Sequence, residues 1–290
     1  MTIFRQIRIL PAVAAVLITA CGSEDAPPPA VVAAAPAPAV EATPAPSDEA
    51  DVRKGTGSML AYAEVDGMLA RGYLAYPVDM TEPLPAVMLI HDWFGLDDEI
   101  KKLSDTLAAQ GFVVLAVDLF DGRTGTLPKD TRDALVKILE KPDLTRSNLD
   151  QAITFVRETV GSPRLSLLGF GSGGLWALNT ALTKPDEFEA LVLVQGQTLT
   201  DKERLETLNM PLLGIYGAND RSITQEEVRA FGEALKEADV THEIRLYPVA
   251  GNAFMLPSSR SYSPKQSAAA WELVYEFLGE NLASPAREAR

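Results

Sequence analysis

The sequence contains little cysteine and little histidine. Its 290 residues include one cysteine, Cys21, and two histidines. A single cysteine cannot form an intrachain disulfide, and so few Cys and His residues exclude a zinc finger or a Cys/His-rich metal centre. Basic residues are also scarce, because 26 Lys and Arg stand against 40 Asp and Glu, giving a net charge of −14. Phosphate binding needs a basic face, so this balance argues against nucleic acid as a partner.

The N-terminal segment is typical of a secretory signal. Residues 1–20 begin with a basic region, continue through an apolar stretch that ends at Ile18, and finish in small residues. The apolar stretch is too short to span a bilayer. Cys21 follows directly, as in the lipobox of bacterial lipoproteins, which predicts lipidation of this cysteine. The alternative is an ordinary secreted protein with a cysteine near its cleavage site.

The same resemblance to lipoproteins predicts a location. Gly22 stands where Asp would retain a Gram-negative lipoprotein in the inner membrane, so we expect the outer membrane, facing the periplasm, with the lipid as the only membrane contact. Residues 21–52 are rich in Ala and Pro and lack aromatic residues, which predicts a disordered tether. Residues 284–290 are predicted to be a disordered tail, which leaves residues 53–283 as the folded domain.

Short apolar runs predict a parallel sheet. Nearly every position in them is apolar, as in strands that are buried on both faces. The runs occupy residues 86–90, 112–117, 165–168, 191–194 and 212–216. Residues 59–78 instead predict an antiparallel hairpin that turns near Asp66 and Gly67.

Helical patterns lie between the predicted strands. One apolar stripe ends at Gly111 and another at Gly161, where glycine can stop a helix. A later helix begins at a capping box that starts with Thr224, and the last helix has Pro264 at its first position. The alternation predicts a single three-layer α/β domain with helices on both faces of a mostly parallel sheet.

The loop after residues 165–168 contains Gly169-x-Gly171-x-x-Gly174. One interpretation is a dinucleotide fingerprint, in which glycines let backbone amides approach a pyrophosphate. Two features argue against it. The motif lies deep in the chain rather than on the first strand, and the next strand ends at Gln195 without an acidic residue to hold a ribose.

A nucleophile elbow is the favoured interpretation of the same loop. In an elbow a strand turns sharply into a helix, the tip residue has φ > 0, and small residues stand two positions before and after it. Gly169 and Gly173 supply this pair when position 171 is the tip. The alternative places Ser172 at the tip, but Phe170 would then occupy the crowded position two residues before it.

The domain resembles the dienelactone hydrolase family of the α/β-hydrolase fold over residues 57–282. The matching stretches are residues 85–96, 111–120, 168–174, 213–220 and 247–254. The resemblance implies hydrolysis of esters or lactones by a Cys-His-Asp triad whose nucleophile lies in a Gly-x-Cys-x-Gly-Gly elbow. No cofactor and no metal are expected.

The resemblance assigns the three triad positions to residues that cannot all play the catalytic roles. The acid falls on Asp220, the nucleophile on Gly171 and the histidine on Asn252. Glycine cannot attack a carbonyl, and an asparagine amide cannot accept a proton near neutral pH. Loss of one member leaves only a slow rate, and loss of a second lowers it little further because the members act as a unit. A family glutamate beside the nucleophile falls on Asp92.

Further candidates surround this predicted site. The resemblance implies an oxyanion hole formed by the backbone amides of Ser172 and Trp93, and a substrate-binding arginine at Arg123. Trp93 and Phe94 are expected either to line an apolar pocket or simply to pack. His91 ends a strand beside the pocket, so it is a candidate substrate contact, although a structural role is favoured.

Two other features have simpler explanations. The acidic run of residues 97–99 resembles a metal cluster, but acidic residues at a helix N-terminus complement the helix dipole. His242 enters the last strand and is predicted to face solvent.

These observations predict a pseudo-hydrolase that binds a small acyl or carboxylate ligand or an envelope protein. The first alternative is an active ester or lactone hydrolase that uses Ser172 as nucleophile, with Asp92 or His91 as base. The second is a dinucleotide-binding protein.

Overall fold

The computed structural model describes residues 55–283 of the chain. The predicted signal segment, Cys21, the tether before residue 55 and the predicted tail all lie outside the described residues. Among residues 55–283, none of the helices combines the length and the apolar character needed to cross a bilayer.

The centre of the domain is an eight-stranded sheet with the order β1-β2-β4-β3-β5-β6-β7-β8. The pairs β1–β2 and β2–β4 are antiparallel, and the remaining neighbours are parallel. The strands are β1 Gly55–Val65, β2 Met68–Pro77, β3 Ala86–Ile90, β4 Val113–Val117, β5 Leu165–Phe170, β6 Ala190–Val194, β7 Leu212–Gly217 and β8 His242–Tyr247.

Seven α-helices connect the strands within the described residues. They are α1 Asp98–Ala109, α2 Pro128–Glu140, α3 Pro142–Thr154, α4 Ser172–Thr183, α5 Lys202–Leu205, α6 Gln225–Glu237 and α7 Pro264–Ala283. Short turns of other helix types occupy Phe155–Thr159 and Pro185–Glu187. Most of these helices begin at residues with a local reason to start a helix, such as Pro128, Pro142 and Pro264 at first helical positions.

The predicted three-layer α/β fold is confirmed. All residues of β3 to β7 are buried, as expected for strands covered on both faces. Helices α1 and α7 supply the apolar side chains that pack on one face of the sheet, and α2, α3, α4 and α6 supply those on the other. The front hairpin turns at Asp66 and Gly67, whose φ angles of 52° and 74° are typical of a tight two-residue hairpin turn.

Some element boundaries differ from the sequence prediction. Strand β4 begins at Val113 rather than Phe112, because its ladder with β3 starts at the pair Ala86 and Val113. Strand β5 continues beyond residue 168 to Phe170, which pairs with Val194 of β6. This extension carries β5 directly into the glycine-rich loop.

Candidate active site

The turn from β5 into α4 has the geometry of a nucleophile elbow. Gly171 has φ +48° and ψ −113°, and α4 begins at the next residue, Ser172. The Gly171 amide donates to the Val194 carbonyl at 2.9 Å, and the Gly174 amide donates to the Gly171 carbonyl at 3.0 Å. The structure therefore places position 171, and not position 172, at the strained tip of the turn.

The other glycines of this loop allow close packing of backbones. A Cβ atom built on Gly169 would lie 2.7 Å from the Gly173 carbonyl oxygen, and one on Gly173 would lie 2.3 Å from the His91 carbonyl oxygen. A Cβ atom on Gly174 would lie 2.5 Å from the Cα of Gly196. These contacts explain the glycine pattern without a bound pyrophosphate, so the pattern no longer supports dinucleotide binding.

A cavity of about 310 Å³, open to solvent, lies in front of the elbow. The ends of β3, β5 and β6 and the segment after β8 surround it, as expected for a ligand site at the carboxyl edge of a parallel sheet. Its lining residues are Asp92, Trp93, Phe170, Gly171, Val194, Gln195, Asn252, Ala253, Met255 and Leu256. We call this the elbow cavity.

Position 171 faces the elbow cavity with room for a side chain. A Cβ atom built there would lie 3.5 Å from the Asp92 Cβ and 3.7 Å from the Trp93 Nε1, which are ordinary van der Waals distances. The missing side chain at position 171 is therefore not demanded by steric crowding. Only the positive φ angle at position 171 favours glycine there.

Asn252 contacts the acid that follows β7. Its Nδ2 donates to the Asp220 Oδ2 and to the Ser222 Oγ, both at 3.1 Å. The other oxygen of Asp220 accepts from the amide and the hydroxyl of Ser222 at 2.7 and 2.6 Å. The pair thus has the contact that a histidine and its orienting carboxylate would make, but an amide replaces the imidazole.

Asp92 is a buried carboxyl group on the wall of the elbow cavity. Its Oδ1 accepts from the Phe94 amide at 3.0 Å. Burial raises the pKa of Asp92 to about 7, the Phe94 amide opposes this shift, and the nearby carboxylates of Asp97 and Glu99 add to it. Asp92 is therefore a group that can bind and release a proton near neutral pH beside the tip of the elbow.

Comparisons with known proteins identify the family. A sequence model of the dienelactone hydrolase family matches residues 70–282. The chain belongs to the dienelactone hydrolase family.

Individual relatives support the family assignment. A protein of Escherichia coli (strain K12) named "Putative carboxymethylenebutenolidase" is 31% identical over 221 residues, which cover 71% of this chain and 80% of that protein. The structure of a dienelactone hydrolase-like promiscuous phosphotriesterase from metagenomic libraries has a TM-score of 0.70 at 19% identity, covering 79% of this chain and 99% of that one. The dienelactone hydrolase from Anabaena variabilis ATCC 29413 has a TM-score of 0.62 at 18% identity, with the same coverage. At these identities the two structures show the fold alone.

His91, a candidate substrate contact from the sequence, is instead buried away from the elbow cavity. Its Nε2 accepts from the Leu119 amide at 3.1 Å, so its Nδ1 carries the proton and donates to the Asp92 carbonyl at 2.9 Å. Burial lowers the pKa of His91, and its ring packs edge-on against Phe120. A neutral His91 therefore joins the loops after β3 and β4, which is a structural role and makes it unsuited to act as a base.

Two other predicted pocket residues also lie elsewhere. Phe94 is half-buried and does not line the elbow cavity, and its carbonyl accepts from the Gly125 amide at 3.1 Å. Arg123 lines a different, larger cavity. Trp93 does line the elbow cavity, with 40% of its surface exposed, and its carbonyl accepts a hydrogen bond from the Thr131 hydroxyl.

Ser172 is the first residue of α4 and is half-buried. Its side chain is not part of the wall of the elbow cavity. Among residues 55–283, neither the Ser172 amide nor the Trp93 amide donates a hydrogen bond to a protein acceptor. An oxyanion hole requires such amides without a protein acceptor, and of the two residues Trp93 lines the elbow cavity.

The acidic run after Leu96 caps a helix. The Asp97 carboxylate accepts from the amides of Glu99 and Ile100 at 3.0 Å, which satisfies two free donors at the start of α1. Glu99 accepts from both the amide and the hydroxyl of Ser258. His242, expected to face solvent, is half-buried, and its Nδ1 lies 2.7 Å from the Val240 carbonyl oxygen.

Sequence reasoning missed the contribution of Gln195. Its Nε2 donates to the Asp220 Oδ2 at 3.0 Å and to the Gly251 carbonyl at 2.9 Å, and its φ angle is +52°. A positive φ at a buried non-glycine residue is unfavourable and is typical of functional sites. The sequence shows that Gln195 follows the strand, but it does not show which residues accept its hydrogen bonds.

Proposed function

We propose that this protein is a member of the dienelactone hydrolase family that has lost ester hydrolysis and keeps the elbow cavity as a binding site for a small acyl ligand. One observation carries the proposal. The residue at the elbow tip, with φ +48° and facing the cavity, is Gly171, which has no nucleophilic atom.

The proton relay is altered at the same time. Asn252 donates to Asp220 through its amide, so the acid now holds an amide in place rather than orienting a base. Gln195 donates to the same oxygen of Asp220, which is thereby satisfied by neutral groups. A chain with neither a nucleophile nor an imidazole at these positions has no covalent route to an acyl-enzyme.

The features that bind rather than react are still present. The Ser172 and Trp93 amides have no protein acceptor within residues 55–283, and Trp93 supplies an apolar wall of the cavity. Asp92, whose pKa lies near 7, offers a hydrogen-bond donor when protonated and is the only ionisable group among the described residues that line the cavity. Because no cation lines the elbow cavity, a neutral acyl group fits it better than a carboxylate does.

The location belongs to the same proposal. The apolar signal segment and the position of Cys21 support lipidation and an outer-membrane anchor facing the periplasm. The ligand would then be a small molecule of the periplasm.

Hydrolysis through Ser172 is the competing function. It predicts that Ser172→Ala abolishes the rate, whereas the half-buried position of Ser172 at the start of α4 argues against an attack from this residue. The two functions give opposite results in one assay. Hydrolysis of 4-nitrophenyl acetate is measured for the wild type and for Ser172→Ala, with buffer alone as the reference.

We expect the wild type and Ser172→Ala to be equally close to the buffer rate. Binding is then measured by calorimetry with phenyl acetate. Trp93→Ala is expected to weaken binding at least tenfold, and Leu139→Ala, which removes a side chain that is 55% exposed outside the elbow cavity, serves as the matched control. A wild-type rate that disappears in Ser172→Ala would overturn the proposal, and so would equal binding by Trp93→Ala and the wild type.

A further inference from the structure

A second cavity of about 740 Å³, its open mouth included, lies between the tip of the β1–β2 hairpin, the loop after β4 and helices α2 and α3. We call it the hairpin cavity. It shares no lining residue with the elbow cavity, so it is a separate space.

The walls of the hairpin cavity are largely apolar. Leu119, Phe120 and Ile138 are buried at its base. Met68 and Leu69 stand at the hairpin end with 41% and 49% of their surfaces exposed. Neighbouring large apolar side chains that remain exposed beside a cavity are typical of a surface that a ligand covers.

Four cations line the same cavity, although the chain carries a net charge of −14. They are Arg71, Arg123, Lys137 and Lys141. None of the four takes part in an ion pair within residues 55–283. Of their side chains, Lys137 contacts the hairpin, with its Nζ 4.0 Å from the Met68 Sδ.

The carboxylates in the cavity wall, Asp118 and Asp121, form no ion pair with these cations within the described residues, and the four cations outnumber them. Asp118 is buried, and its two oxygens accept from the amides of Phe120 and Gly122 at 2.8 and 2.5 Å. Asp121 is exposed to solvent on the loop. The cavity therefore combines apolar walls with unpaired positive charge, in a protein whose overall field would repel anions.

We propose that the hairpin cavity binds a long-chain carboxylate, with the alkyl chain against the apolar walls and the carboxylate among the cations. A purely apolar ligand would leave the cations unused, and a purely ionic ligand would leave the apolar walls exposed. An ion pair at the mouth is partly solvated, so most of the affinity comes from the chain and the discrimination from the charge.

Calorimetry with dodecanoate below its micelle concentration tests the proposal. The protein is the full chain with Cys21→Ser, so that no attached lipid competes. We expect one dodecanoate per chain and at least tenfold weaker binding of dodecanol. The double variant Arg71→Gln with Lys137→Gln should bind dodecanoate at least tenfold more weakly. Arg132→Gln, an exposed position on α2 outside the cavity lining, should bind like the parent chain.

A second variant tests the apolar wall without changing charge. Ala134→Phe places a ring in the base of the cavity and should abolish binding, while Leu139→Ala, on the same helix but outside the cavity lining, should leave it unchanged. The proposal is overturned if dodecanoate does not bind, if it binds all variants equally, or if dodecyltrimethylammonium binds as tightly. Because the two cavities are separate, failure here is distinct from failure of the proposed elbow-cavity function.

Discussion

Two neighbouring glycines of the elbow should respond very differently to the same substitution. A methyl group at Gly171 would meet only ordinary contacts, the nearest being the Asp92 Cβ at 3.5 Å. A methyl group at Gly173 would lie 2.3 Å from the His91 carbonyl oxygen and 2.4 Å from the Ile90 carbonyl oxygen. Since both contacts are backbone atoms at the end of β3, they cannot move aside as a flexible side chain could.

The expected magnitudes follow from these geometries. Gly171→Ala acquires only the strain of its positive-φ conformation, about 1–3 kcal/mol. For a domain of this size 1 kcal/mol lowers Tm by about 2–4 °C, so a loss of about 2–12 °C is expected. Gly173→Ala must separate α4 from β3, which places it at or beyond the upper end of the usual overpacking range, about 3 kcal/mol or more. A Tm loss of about 6 °C or more, or a failure to fold, follows.

Thermal unfolding of the full chain, followed by circular dichroism, measures both variants against the wild type. The smaller loss should belong to Gly171→Ala, and its native spectrum should be unchanged. If Gly171→Ala destabilises the protein as much as Gly173→Ala does, position 171 is not the open tip of the elbow. The missing side chain would then be a packing requirement rather than a loss of chemistry.

Three further predictions concern other residues. Burial raises the pKa of Asp92 to about 7, so the native protein holds a proton at Asp92 that the unfolded chain releases near pH 4. In urea unfolding, Asp92→Asn should therefore gain stability relative to the wild type as the pH rises from about 4 to 7. A stability difference between the two proteins that does not change with pH would refute this prediction. Gln195→Ala leaves the Gly251 carbonyl without its donor and should lower the unfolding free energy by about 1–3 kcal/mol, whereas an unchanged urea midpoint would contradict the contact. If Cys21 carries the proposed anchor, Cys21→Ser should deplete the protein from the outer-membrane fraction, and unaltered fractionation would exclude the anchor.

The sheet and the elbow were predictable because their signals are local. Continuous apolar runs mark strands that are buried on both faces, and β3, β6 and β7 follow this rule. The elbow has a steric signature within five residues, because a Cβ atom at Gly169 or Gly173 would lie 2.7 or 2.3 Å from a backbone oxygen, whichever residue stands at the tip. Neither feature depends on partners that are distant in the chain.

The rest of the site depends on distant partners. Gln195 contacts Asp220 and Gly251, which lie 25 and 56 positions further along the chain, so its role required the fold. The family resemblance implies that Arg123 contacts the substrate, but in the structure Arg123, on the loop after β4, lines the hairpin cavity. That cavity is formed by a hairpin, a loop and two helices, and no local pattern in the sequence marks it.

The rate of ester hydrolysis by the double variant Gly171→Cys with Asn252→His tests the central claim most directly. The cavity has room for a side chain at position 171, and Asp220 already contacts residue 252. Activity on 4-nitrophenyl acetate is compared among the wild type, this variant and Gly171→Ala with Asn252→His, which lacks only the thiol. The account predicts a rate at the buffer level for the wild type and the control, and a clear rate for the double variant. A substantial wild-type rate would contradict the loss of catalysis, and an inactive but folded double variant would contradict the claim that the two positions are what was lost.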